Sequence, residues 1–230
     1  MTIAVLAGLG LVVGTALPAL LAVLPDRAPE DGEPVRTPYR VLASAPRLRP
    51  LLGTATGATW GVLAATVGWG PDLPAYLWVG TLGVAMAYVD LREHRLPDPL
   101  SAAALVGGGS LLAVAAAATG EWAAYGRAWL AAVAIFAAFL ALALLRPADL
   151  GLGDVKLAGV LGLVLGWQGW GVVVAGAFFG FLFGGLTGVG LMLVRRAGRR
   201  SSIPFGPFML LGALVAVAWG GPLVDAYVGR

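Results

Sequence analysis

The sequence predicts an all-α, polytopic membrane protein of about eight transmembrane helices with both termini outside the cytoplasm, and three observations carry that prediction. Hydrophobic residues make up 59% of the 230 and charged residues only 12%, for a mean hydropathy of +0.88, far from the soluble globular range. The apolar residues gather into runs long enough to cross about 30 Å of hydrocarbon. Between those runs, Lys and Arg are divided very unequally among alternate loops.

Taken in order, the runs fall at about 3–24, 51–69, 74–89, 99–119, 122–145, 155–169, 171–194 and 207–228. The first reads as a retained helix spanning 1–24, because no positive charge precedes it and its arginines follow it, the reverse of a signal peptide. Residues 25–50 are rich in Pro and Arg, carry Asp26, Glu30, Asp31 and Glu33, and have too little apolar content to fold as a domain. They read as a short, flexible or surface-lying connector, and 51–230 as the membrane-embedded core. The runs at 74–89 and 155–169 are short. Little more than Gln168 and Gly169 separates 155–169 from the next run, so those two form a tight hairpin or one is partly re-entrant. Gly176, Gly180, Gly184 and Gly188 recur every four residues on one face of the seventh run, as close helix packing requires. No repeat of 20–50 residues stands out, which gives no support to a solenoid or an obvious inverted-repeat transporter.

Orientation follows from the basic residues. Arg27, Arg36, Arg40, Arg47, Arg49, Arg92, Arg95, Arg146, Lys156, Arg195, Arg196, Arg199 and Arg200 fall on one side, 13 of the 15, leaving Arg127 and Arg230 on the other. Positive-inside bias places the richer side in the cytoplasm. A net charge of +3, scattered over short loops, points to the lipid bilayer rather than to nucleic acid. With no cysteine, disulfides, thiolate zinc sites and a cysteine nucleophile are excluded.

Of the twelve acids, seven fall in the connector or at the outer boundary, Asp72, Glu121 and Asp225 among them. Asp90, Glu93, Asp98, Asp149 and Asp154 fall near the cytoplasmic side. Asp90 directly continues the apolar run W-V-G-T-L-G-V-A-M-A-Y-V, and Asp154 opens V-K-L-A-G-V-L-G-L-V. An acid at that depth costs a few kcal/mol unless paired, neutralised or facing a wet cavity. Two readings are open: helix-end acids that serve as caps, or a carboxyl pair sharing one proton, one polarising a carbonyl while the other activates water. The second is aspartic-peptidase chemistry, which needs no metal or other cofactor. Gly151 and Gly153 beside Asp154 would let an extended substrate segment approach. They equally suit a flexible loop. Lys156 and Asp149 either tune the pair or sit at the headgroups, while His94, between Arg92 and Arg95, reads as interfacial. A metal site from Asp90, Glu93, His94 and Asp98 is opposed by the flanking arginines.

Three segments carry a resemblance. G-L-G-D-V-K-L, Gly151 to Leu157, resembles the G-x-G-D motif of membrane aspartic proteases as found in the prepilin peptidase, or type IV leader peptidase, family. A-Y-V-D-L-R-E-H-R-L-P-D, Ala87 to Asp98, is similar to that family's other motif, an Asp ending a helix with a proline seven residues on. S-I-P-F-G-P-F, Ser202 to Phe208, resembles the family's I-P-F-G-P-F segment before the last helix. The resemblance implies an aspartic endopeptidase of the inner or plasma membrane, with Asp90 and Asp154 as the catalytic dyad facing the cytoplasm. It further implies Gly151, Gly153, Lys156, Pro97, Pro204 and Gly206 as substrate-binding or loop-shaping positions, no metal, and a type IV pilin-like precursor as substrate. Bifunctional members also methylate the new N-terminus and carry a cysteine-containing domain after the first helix. The 25–50 connector is short and cysteine-free, which argues against methyl transfer. Rival functions on the same residues are a proton- or cation-coupled transporter using both aspartates, and a membrane scaffold in which the acids are structural.

Overall fold

Long Ala, Leu, Val and Gly runs in hydrocarbon satisfy every backbone group only as helices, and helices are what these runs form. The computed structural model describes residues 2–26, 36–145, 150–193 and 204–228. Its helices are α1 (Ile3–Ala22), α2 (Tyr39–Ala43), α3 (Leu48–Thr66), α4 (Leu73–Glu93), α5 (Asp98–Thr119), α6 (Trp122–Leu145), α7 (Leu152–Gln168), α8 (Trp170–Leu193) and α9 (Gly206–Val228). Among the described residues there is no strand. Prolines start helices and left-handed residues stop them: Pro74 and Pro99 lie in the first turns of α4 and α5, while His94 (φ 50°) ends α4 and Gly120 (φ 80°) ends α5.

A helix falls at each of the eight expected positions. By length and composition, α1, α5, α6 and α8 are the four, among the described residues, that are apolar and long enough to cross a membrane. The outward faces of these helices are apolar: Val12, Val106 and Val174 are 63%, 66% and 67% exposed, as lipid-facing residues are. At the opposite extreme is α7, in which Val155 and every residue from Leu157 to Trp167 are buried. It touches α4, α5, α6, α8 and α9 and is the axis of the bundle. Its last turn leaves carbonyls unpaired, and Arg127 of α6 donates to the Gly166 and Trp167 oxygens. Gly169, at φ 149°, then reverses the chain into α8, so the expected hairpin forms at a single residue.

Residues 36–50 dock against the bundle: Tyr39 and Leu42 of α2 and Leu48 of α3 are buried, and the Tyr88 hydroxyl donates to the Leu42 carbonyl at 2.9 Å. An aromatic followed three residues later by leucine presents one apolar face per helical turn, enough to dock even a five-residue helix. Residues 27–35 of the connector, with Glu30, Asp31 and Glu33, lie outside the described residues, as does Asp149. The helix carrying Asp90 runs on to Glu93, so Asp90 sits just within its end, as its place after the apolar run leads one to expect.

The glycine row on α8 does pack. A Cβ on Gly176 would meet Leu165 Cδ1 at 2.5 Å, and one on Gly212 of α9 would come within 2.4 Å of Gly180 N. Gly212→Ala is therefore expected to destabilise the protein by about 1–3 kcal/mol, as overpacking does, read as a lowered thermal unfolding midpoint in detergent. Gly185→Ala, where a Cβ meets nothing, leaves the midpoint unchanged or raises it.

Candidate active site

Asp90 is 4% exposed, and a carboxyl so buried needs a hydrogen-bond donor. It finds one in the main chain of another helix: Gly206 N–H donates to Asp90 Oδ2 at 3.0 Å. Gly206 is the first residue of α9, where N–H groups have no intrahelical acceptor and the helix dipole favours a carboxylate. The neighbouring residues explain the P-F-G-P sequence. Phe205 is anchored by the Phe139 and Phe181 rings, at centroid distances of 6.4 and 5.1 Å. Pro207 in the first turn needs no acceptor. A Cβ on Gly206 would stand 2.8 Å from Asp90 Oδ2, so glycine alone allows this approach.

Asp154 is the third residue of α7. Its Oδ2 accepts the Gly151 N–H at 3.2 Å, and its own N–H donates to the Gly151 carbonyl at 3.0 Å. The capping reading of this acid is met, and the functional one is not thereby displaced. Gly153 is pressed against Leu96, with a Cβ there at 3.0 Å from Leu96 Cβ, so this glycine lets the start of α7 abut the α4–α5 turn. Gly151 is less confined, its nearest contact being 3.5 Å away.

Asp90 and Asp154 line one cavity of about 490 Å³. Gly151, Gly153 and Lys156 share its wall. Lys156 Nζ is 2.6 Å from Asp98 Oδ1, an ion pair with both side chains well exposed. Pro97 is fully buried behind the wall as the residue preceding α5, and Pro204 precedes α9. Neither lines the cavity. His94 does, at the left-handed end of α4. Among the described residues no three His, Cys, Asp or Glu converge as metal ligands.

The cavity has a roof that sequence reasoning missed. The Arg95 guanidinium lies 4.0 Å over the Tyr39 ring, and its Nη2 donates to the Thr37 carbonyl at 2.7 Å. Thr37 N–H donates to Glu93 at 3.1 Å, and Tyr39 N–H to Asp26 at 2.9 Å. Arg95 and Asp26 form an ion pair at 3.9 Å, with the arginine side chain 10% exposed. Asp26, exposed at the start of the connector, thus ties that start to Tyr39 and Arg95. Burial, the largest influence, pushes the Tyr39 phenol above its usual pKa, keeping it neutral under the cation. The available signal was Tyr39 itself, the lone aromatic residue in 25–50.

A model of the type IV leader peptidase family matches residues 77–193, about half of the chain, including both aspartates and the Gly151–Gly153 approach. This chain belongs to the type IV leader peptidase family. Its relatives include the prepilin leader peptidase/N-methyltransferase of Aeromonas salmonicida (strain A449), 32% identical over 188 residues, or 78% of this chain and 60% of the relative. The protein of the same name from Stutzerimonas stutzeri is 27% identical over 187 residues, 81% of this chain and 63% of that one. That of Bacillus subtilis (strain 168) is 32% identical over 99 residues, 43% and 39% respectively. The chain therefore spans about three-fifths of the length of the first two relatives. No solved structure matches it. Within the family fold, the roof is testable apart from any activity. Arg95→Ala and Tyr39→Ala are each expected to lower stability by about 1–2 kcal/mol, and the double variant by less than their sum, with a coupling of about 0.5–2 kcal/mol. Unfolding midpoints of the four proteins in one detergent measure it.

Proposed function

We propose that this chain is an intramembrane aspartic endopeptidase that removes the leader of type IV pilin-like precursors at the cytoplasmic face of the inner or plasma membrane. The observation that carries the reading is the shared cavity of Asp90 and Asp154, in which each carboxyl has a single oxygen, Oδ2, held by a main-chain N–H. Among the described residues neither Oδ1 has a hydrogen-bond donor, which leaves it for water or substrate. One carboxylate takes a proton from a water as that water attacks the scissile carbonyl. The other, carrying the shared proton, hydrogen-bonds to the carbonyl oxygen and stabilises the tetrahedral intermediate; the proton gained by the first then passes to the leaving amine. Holding Oδ2 fixes both carboxyls before substrate arrives, which is preorganisation of the kind electrostatic catalysis uses.

The remaining roles follow from contacts. Gly153 lets α7 begin against Leu96, and Gly206 brings its N–H to Asp90, so these two shape the site. Gly151 leaves room beside Asp154. Lys156 forms part of the wall, while Pro97 and Pro204 shape the turns ahead of α5 and α9. The proposed orientation, with eight spans and both termini outside, rests on the 13 basic residues. It is supported by the cavity's position where the end of α4 meets the starts of α5, α7 and α9, since those ends adjoin the basic loops. The first helix, the connector and the 51–230 core are then one membrane-embedded unit. Methyl transfer, which the names of the relatives include, is not carried over, because the 25–50 connector is short and cysteine-free. A transporter reading of the same aspartates finds no support in the family to which the chain belongs.

Asp90→Asn and Asp154→Asn are each expected to leave a folded protein whose cleavage of a pilin precursor falls by roughly 10²–10⁴-fold or more, measured on purified protein in liposomes; wild-type rates in either variant would overturn the dyad. Gly206→Ala, which pushes a methyl toward Asp90, is expected to lower kcat by about tenfold or more with a smaller change in KM, as loss of positioning does.

A further inference from the structure

The larger apolar recesses between the helices differ in one respect. Those along α1–α4, α3–α4–α9 and α7–α8–α9 share no residue with the catalytic cavity, whereas the recess bounded by α5, α6 and α7 shares two, Asp98 and Lys156. This recess holds about 400 Å³. Each helix contributes one face to it at helical spacing: Asp98 and Ala102 on α5, Val133 and Phe136 on α6, Lys156 and Gly159 on α7. Val133 is 62% exposed and Phe136 38%, so the recess opens on the outer, lipid-facing surface of the bundle.

We propose that this recess seats the apolar helix of the precursor, with the Asp98–Lys156 pair as the threshold over which the scissile segment passes to Asp90 and Asp154. The proposal rests on the peptidase reading above and adds where the rest of the substrate lies. A membrane-anchored precursor presents a polar cleavage segment joined directly to an apolar helix. The two adjoining spaces match that order: a charged cavity, the Asp98–Lys156 pair common to both, then an apolar trough. Ala102, small and exposed in the trough, lets a helix backbone come close, as membrane helix pairs do. The threshold is formed by side chains that are 44% and 64% exposed, and so exposed a pair is weakly held and gives way to a passing chain. A lipid acyl chain is the rival occupant.

The test uses the full chain in liposomes with two probes: a type IV pilin precursor, and a peptide of the same precursor truncated before its apolar helix. Val133→Trp and Ala102→Trp, both at exposed positions, are expected to raise KM for the precursor and to lower the ratio of kcat/KM for precursor over truncated peptide by about tenfold. Val13→Trp, in the recess on the α1 side, leaves that ratio unchanged. A photo-cross-linker at position 133 captures the precursor helix, and one at position 13 does not. An unchanged ratio in the α5 and α6 variants, or cross-links at 133 to lipid alone while the precursor is being cleaved, overturns the seat and leaves the peptidase reading standing. Failure of the wild-type protein to cleave either probe overturns the peptidase reading itself, and the seat with it.

Discussion

The constraint on which the structure turns is the burial of one carboxyl group. Asp90 lies a turn inside an apolar helix with almost no access to water, and its partner among the described residues is a main-chain N–H at the start of α9. For that N–H to arrive, three things must hold together. Residue 206 must lack a side chain, Phe205 must be fixed between the aromatic rings of α6 and α8, and α9 must lie close against α8 through glycine faces. The packing of α8 on α9, far down the helices, is thus mechanically connected to the position of a carboxyl at the end of α4.

The second carboxyl is placed by a different device. Asp154 is held by its own helix start, and the whole of α7 is buried, so its position is set by the bundle axis. One acid is positioned across helices and the other within its helix, and the α4–α5 turn joins them. Leu96 in that turn touches both Gly153 and the neighbourhood of Gly206. The turn is itself fastened by Arg95 and Glu93 to residues 36–39, which makes the short connector a structural part of the cavity.

Much of this was legible beforehand. Helices at all eight positions followed from apolar runs, because a backbone in hydrocarbon has few alternatives, and motif resemblance with the basic loops singled out Asp90 and Asp154, which the fold brings to one cavity. The roof was not legible. Asp26, Thr37, Tyr39, Glu93 and Arg95 are distant in sequence and ordinary in type, and their association depends on where α1 and α4 end in space. The role of Gly206 was also hidden, since its resemblance to a family segment says nothing of which atom it meets.

The sequence by itself determined the environment, the helices and the two acids that belong to it least. Hydropathy and charge act locally and additively, so their pattern can be read along a line. The tertiary structure alone decided that Gly206 serves Asp90, that Lys156 pairs with Asp98, and that one lateral recess shares those two residues with the cavity. Each of those depends on which helices are neighbours and at what depth their ends meet, and that is set by close packing of many small residues together.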